Sequence, residues 1–327
     1  MSNVIASSLV LHAKTGGIIP EVAARDQISH IIPVISQALE QAGVPNGQDI
    51  DAIAITYGPG LIGSLLVGVE TAKTLSFAWN KPLIPVNHLY GHIYANWIDT
   101  PSLRANENEH GNDILPEFPA IALIVSGGHT DLVLMKSHKE TVWLGGTRDD
   151  AAGEAFDKIG RILGLEYPAG PMIEELAKSG NAKTYLLPRP LKYDKSFDFS
   201  FSGLKTAALR EIQKFSPPTS QKSLTTQTIS DIARDVQDAI IDVLVYKTMN
   251  AAKTYKVKSI ILGGGVAANL TLREEFLVQC SLFKVKFFAP PKNLCVDNAA
   301  MIATAAVFQG AETPWEELTA DPELYFD

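Results

Sequence analysis

The chain has 327 residues, 46% hydrophobic and 20% charged, with a formal net charge of −8. That length suits two cores better than one, and the acidic balance excludes a protein that coats nucleic acid through bulk charge. No apolar run reaches the ~18–20 residues of a membrane span. Met1-Ser2-Asn3-Val4 lacks the basic-then-apolar order of a secretory leader, and Cys280 and Cys295 lack a C-x-x-C spacing. Two reduced, packed thiols in a cytoplasmic protein are expected.

In chain order, Ile28, Ile31, Ile32, Ile35 and Leu39 stand at helical spacing and predict a helix over 26–43 with Gly43 as its stop. A strand is predicted over 50–55, ending in Tyr57-Gly58-Pro59-Gly60, then a helix over 64–79 and a strand over 83–86. Residues 99–118, rich in Pro, Asn and Gly, read as a linker. Strands follow at 120–125, 130–135 and 141–145, with helices near 150–163, 170–179 and 226–255. Strand 259–262, helix 268–280, strand 284–288 and a helix from 298 complete the pattern. Residues 181–203 and 216–223 read as loops. Apolar strands alternating with helices indicate an α/β protein.

Two of those strands run into glycine turns. Ile121–Val125 leads to Ser126-Gly127-Gly128-His129-Thr130, and Ser259–Leu262 leads to Gly263-Gly264-Gly265 and on to Asn269. Glycine lets a ligand approach the backbone and can turn N–H groups toward an anion, and a helix after the turn adds a partly positive N-terminus. Two such turns suggest a phosphate-bearing ligand. Charge is uneven as well. Residues 183–214 carry Lys183, Arg189, Lys192, Lys195, Lys205, Arg210 and Lys214 against Asp194, Asp198 and Glu211, which fits either a folded RNA or a solvated face.

His88 and His92 stand at i and i+4, one turn apart on a helical face, as a metal requires. A zinc peptidase of the H-E-x-x-H type needs Glu after the first His, and Leu89 is there instead. Asp297, just ahead of the apolar segment Ala299–Val307, is a candidate third ligand or that helix's N-cap. Asp150, Glu154 and Asp157 share a helical face and repel one another. Ribose hydroxyls, a metal, or Lys158 and Arg161 would compensate them. Tyr167-Pro168-Ala169-Gly170-Pro171 is a rigid turn able to offer backbone to a sugar.

Taken in order, H-x-x-x-H, S-G-G-H-T, D-D-A-A-G-E-A-F-D-K, Y-P-x-G-P, F-S-F-S-G-L-K-T, G-G-G-V-x-x-N and D-N resemble the TsaD family over about residues 4–310. The family comprises the bacterial tRNA threonylcarbamoyladenosine transferases, related to the KEOPS catalytic subunit. The resemblance implies a two-lobed actin-like, sugar-kinase and Hsp70-type ATPase fold. It implies a first lobe over 1–115, with residues from about 298 to 327 packing back on it, and a second over 116–297. The implied reaction moves a threonylcarbamoyl group from threonylcarbamoyl-AMP to N6 of adenosine 37 in tRNAs reading ANN codons. The metal ligands, for iron in preference to zinc, would be His88, His92 and Asp297. Ile124, Val125, Ser126, Gly127, Gly128, Asp157, Gly170 and Asn269 would contact the adenylate, with Glu174 a further candidate. The partners implied are tRNA, TsaB and TsaE, in the cytoplasm. Lys192 and Lys205 are expected to touch the tRNA backbone. A metallopeptidase, or a non-catalytic scaffold of the same fold, are the competing readings. The family's opening hairpin with its E-T-S-C-D-E-T loop has no counterpart ahead of Val4, so the first lobe is expected to be incomplete, through a mis-called start or a truncated record.

Overall fold

The computed structural model describes residues 2–8, 11–13, 16–47, 49–98, 115–215 and 224–326. Most of the expected linker over 99–118 and all of the expected loop over 216–223 lie outside the described residues. The chain divides into two compact units, one of Met1–Leu115 with Val296–Asp327, the other of Pro116–Cys295. Asp297 therefore belongs with the first unit instead of closing the second, because its carboxylate sits against His88 and His92.

In the first unit, α1 (Pro20–Ala42) starts on a proline, whose missing N–H costs nothing there, and stops at Gly43 with φ +77°. Strand β1 (Ile53–Gly58) pairs in parallel with β2 (Leu83–Asn87), from Ile53 opposite Leu83 to Thr56 opposite Val86. Helix α2 (Ile62–Trp79) connects them. Val69, Ala72, Leu83 and Leu318 form a core there, with Ile53, Ile55, Tyr57 and Trp315 packed against it. β2 passes directly into the short helix α3 (His88–Tyr94).

The second unit is built on a five-stranded sheet in the order β5-β4-β3-β6-β7. Central β3 (Ala120–Val125) pairs antiparallel with β4 (Thr130–Met135), which pairs antiparallel with β5 (Thr141–Gly146). On its other side β3 runs parallel to β6 (Ser259–Gly263), and β6 to β7 (Lys286–Phe288). Every residue of β3, β4 and β6 is buried. Strands covered on both faces have no solvent side, so their sequences run apolar without alternation.

Helices α4 (Ala152–Ile162), α5 (Gly170–Ala177), α6 (Ser202–Phe215), α7 (Thr226–Tyr255) and α8 (Leu270–Phe283) complete the second unit. Helix α6 was not expected. Leu204, Ala208 and Ile212 are buried at i, i+4 and i+8, a sparse stripe that basic neighbours obscure. The strap before it, residues 181–197, is irregular but anchored to α7. Asp231 accepts from Asn181 N–H at 2.7 Å and Asp235 from Lys183 and Tyr185 N–H at 2.5 and 2.6 Å, while buried Lys247 donates to Ser196 O at 2.7 Å. The last helix, α9 (Ala299–Gln309), belongs to the first unit. Among the described residues no helix is long and apolar enough to cross a membrane.

Candidate functional site

The metal-type cluster is assembled by close packing of two helices. Asn87 caps α3 by accepting from Leu89 N–H at 2.9 Å, which starts the helix at His88 and puts both imidazoles on one face. A Cβ on Gly91 would meet Ile302 Cδ1 at 2.7 Å, so glycine there lets α3 settle on α9. The segment entering α9 carries Asp297, whose Oδ1 lies 3.4 Å from His88 Nε2 and 3.4 Å from His92 Nε2. The N-cap of α9 is Asn298, accepting from Met301 N–H at 2.9 Å, so Asp297 is not spent on capping.

The donor set fits one ion. Two ligand atoms about 2.1 Å from a metal at a tetrahedral angle stand about 3.4 Å apart, the spacing both imidazoles keep to Asp297, and the three donors lie within 4.8 Å of one another. His92 is 2% exposed. Burial lowers its pKa, and the neighbouring His88 lowers it further against the pull of Asp297. The ring is thereby kept in the neutral form that ligates. Its Nδ1 is buried without a hydrogen-bond partner among the described residues, so its polar contacts lie on the Nε2 side. Asp297 is 78% exposed at its surface although protein atoms crowd it. That crowding opposes its charge, but the two imidazoles outweigh it and hold the carboxyl well below the usual range.

The glycine turns belong to the second unit and pack on each other. Gly264, at φ +91°, brings its backbone against the Val125 carbonyl so closely that a Cβ would clash. A Cβ on Gly153 would meet Ser126 O at 2.5 Å, and Gly153 N–H donates to that oxygen at 3.1 Å. Gly127, Gly128 and Gly265 differ: a Cβ on any of them meets nothing within 4 Å, and none has the positive φ that demands glycine. The protein's own packing does not require bare backbone at these three positions. A ligand lying on it would.

Ser126 corrects one expectation. Its Oγ accepts from Gly128 N–H at 3.3 Å and His129 N–H at 3.1 Å, so the Gly128 amide turns inward. Gly127 N–H is the amide of this turn that has no partner among the described residues. Ile124 and Val125 are wholly buried, with side chains in the core, and can meet a ligand only through backbone at the strand end.

The acidic run also resolves. Lys158 Nζ stands 2.7 Å from Asp150 and 2.8 Å from Glu154, and Lys205 Nζ 3.2 Å from Asp150. Lys158 and Lys205 compensate these carboxylates. Asp157 turns elsewhere and accepts Ala169 N–H at 2.8 Å, holding the Tyr167–Gly170 turn. Burial pushes its pKa up, against the N–H groups of Ala169 and Gly170 and the charge of Arg161. Glu174 accepts Leu270 N–H at 2.7 Å, and Asn269 is the N-cap of α8, accepting from Leu272 N–H at 2.9 Å.

Asp149 had no assigned role in the sequence, yet it accepts four hydrogen bonds at the start of α6. The donors are Ser200 Oγ at 2.5 Å, Phe201 N at 2.8 Å, and Ser202 N and Oγ at 3.2 and 2.8 Å. Burial opposes its charge, but these donors outweigh it and its pKa is lowered. A carboxylate with a depressed pKa stabilises the fold fully above its unfolded value, and that contribution is lost as pH falls through the folded value. Asp149→Ala is therefore expected to cost about 1–2 kcal/mol at neutral pH. The gap to the parent protein should stay constant down to about pH 5 and shrink below about pH 4, as urea titrations at stepped pH would show.

Of the basic stretch, Lys192 pairs with Asp242 at 3.6 Å, Arg189 with Asp242 at 2.9 Å and Lys214 with Glu211 at 2.7 Å. Lys205 is held by Asp150, as above. The two lysines expected on RNA are thus already paired, whereas Lys183, Lys195 and Arg210 enter no ion pair among the described residues.

A protein-family model described as "TsaD: tRNA N6-adenosine threonylcarbamoyltransferase" matches residues 1–304. The chain belongs to the TsaD family. Among curated relatives of that same name, one from Thermomicrobium roseum is 48% identical over 94% of this chain and 85% of its own length. Others from Moorella thermoacetica and Desulfitobacterium hafniense are 46% and 44% identical, over 94% and 99% of this chain and 84% and 90% of their own lengths. Among solved structures, full-length HypF in its phosphate- and nucleotide-bound form aligns with a TM-score of 0.52 at 14% identity, covering 82% of this chain and 48% of that one. HypF from T. kodakarensis gives 0.55 at 12% identity, over 85% and 43%. At such identities the likeness shows the fold alone, the actin-like ATPase fold.

Proposed function

We propose that this chain transfers the threonylcarbamoyl group of threonylcarbamoyl-AMP to N6 of adenosine 37 in tRNAs reading ANN codons. Family membership supports the transferase, and the observation that carries the site assignment is Asp297 standing 3.4 Å from both His88 and His92. Fe(II) is the favoured ion, with Zn(II) suited to the same donors. When bound, the metal supplies Lewis-acid polarisation and a template for a substrate oxygen.

The adenine amine is a weak nucleophile, so the reaction needs the acyl group positioned and the departing AMP stabilised. Gly127 offers its N–H to a phosphate or acyl oxygen, and the flat backbone at Gly127, Gly128 and Gly265 lets that group come close. Ser126 sets the turn. Asp157 and Gly170 shape the ribose side, and Asn269 holds the adenylate from the other turn; the bonds that fix Asp157 and Asn269 support both roles.

TsaB and TsaE are the proposed protein partners, in the cytoplasm. Ile28 and Ile32 of α1 and Phe77 of α2 are 62%, 54% and 69% exposed, large apolar side chains whose exposure supports protein docking. For tRNA the unpaired cations are the better contacts. Lys183→Glu with Lys195→Glu should weaken tRNA binding at every sequence and reduce the salt slope by about two, measured by filter binding at stepped salt. Lys205→Glu should instead destabilise α6 against α4 through loss of the Asp150 pairing.

The function is tested by reconstitution. Metal-loaded chain, TsaB, TsaE, threonylcarbamoyl-AMP and unmodified tRNA should yield threonylcarbamoyladenosine, detected by nucleoside mass spectrometry. Absence of product with all components active would overturn the assignment, as would peptide hydrolysis that depends on His88 but not on Gly127.

A further inference from the structure

We infer that Gln237 is a positioning residue for the adenylate, acting through Asn269; this rests on the proposed role of Asn269. Gln237 lies in the middle of α7 and is 2% exposed. A buried primary amide in such a place is costly unless its polar atoms are bonded, and here they form a relay of fixed direction.

Leu272 N–H donates to Asn269 Oδ1 at 2.9 Å. A backbone N–H can only donate, so the Asn269 oxygen must face it and the amide is oriented with Nδ2 on the other side. Nδ2 donates to Gln237 Oε1 at 2.9 Å, which in turn directs Gln237 Nε2 toward Thr271 Oγ1, at 3.3 Å. One end of the relay is a helix amide and the other a hydroxyl two residues beyond Asn269. Neither amide can flip without putting two donors or two acceptors face to face.

Once these bonds are made, Asn269 retains one Nδ2 hydrogen and one Oδ1 lone pair. Their directions are set by Gln237 and by the cap, so the relay presents the ligand with a single fixed donor–acceptor pair. Glu174, from α5, holds the adjacent Leu270 N–H at 2.7 Å, so the turn is gripped from two helices. A cap alone needs only Asn269 Oδ1. The bond from Nδ2 adds nothing to capping and fixes what the amide shows to its surroundings.

The test uses the full chain and AMP alone as the probe, read by calorimetry, with KM for threonylcarbamoyl-AMP from the reconstituted reaction. Gln237→Met keeps the volume and removes the acceptor; it should weaken AMP binding and raise that KM about tenfold, leaving tRNA affinity and metal content unchanged. Gln237→Glu restores an acceptor for Asn269, and the Thr271 hydroxyl can turn to donate to it, so it should recover most of the affinity. Thr271→Val, which frees only the far end of the relay, should shift AMP binding in the same direction by a smaller factor, and keeps the test open if Gln237→Met folds poorly. Loss of thermal stability with AMP affinity unchanged in Gln237→Met and Thr271→Val would reduce Gln237 to a packing role and overturn the inference. Asn269→Ala separates the two layers: unchanged AMP affinity there removes the adenylate reading of Asn269, and the inference with it. Weakened affinity there, with none in Gln237→Met, overturns the inference alone.

Discussion

Asp297→Ala is expected to strip the protein of its metal while leaving α9 intact. The prediction follows from the division of labour between neighbours. Asn298 caps the helix through Met301 N–H, and Asp297 stands 3.4 Å from both imidazoles. Removing a ligand should lower metal affinity by at least about 100-fold, since even partners of ligands cost 10–100-fold, and transfer activity should fall with it. Any change in the stability of the metal-free protein should come from the lost imidazole contacts and not from α9, because the cap belongs to Asn298. Asn298→Ala should do the reverse, costing about 1 kcal/mol while metal per chain, read by elemental analysis, stays near that of the parent. If Asn298→Ala lost the metal and Asp297→Ala kept it, the site would be misassigned.

That pair also shows what sequence could and could not resolve. Asp297 and Asn298 are both good N-caps by residue type, and only backbone geometry decides which one bonds Met301. The strand-turn motifs were legible because their signal is local: an unbroken apolar run, then glycine. Helix α6 was not, because its buried stripe of Leu204, Ala208 and Ile212 is too thin to stand out among basic neighbours. Pairings across sequence were the least legible. Lys205 lies 55 positions from Asp150, and no spacing rule links them, yet that contact removes Lys205 from the candidate RNA surface. Nor could the sequence say that the Ser126 hydroxyl would take the Gly128 amide, since that choice depends on a rotamer within the turn.

Glycine substitutions should separate folding from ligand binding within the two turns. Gly264 needs a positive φ, and a Cβ there collides with the carbonyl of Val125, which β-sheet pairing prevents from moving aside. Gly264→Ala should therefore cost on the order of 3–5 kcal/mol, and Gly153→Ala, against Ser126 O at 2.5 Å, should also destabilise. Gly127→Ala meets nothing within 4 Å at an ordinary φ, so stability should be unchanged or rise by about 0.4–1 kcal/mol through the unfolded chain. Its AMP affinity should nevertheless fall at least about tenfold, because the methyl occupies the space a phosphate or acyl oxygen would take against the Gly127 N–H. Urea titrations and calorimetry on the same three variants would read both effects. The contrast between Gly127 and Gly264 makes the result decisive: the fold itself requires glycine at 264 and does not at 127, so a binding loss without a stability loss in Gly127→Ala would come from the ligand. Gly127→Ala with full AMP affinity would show that the open backbone is an accident of the turn, and would remove it from the binding site.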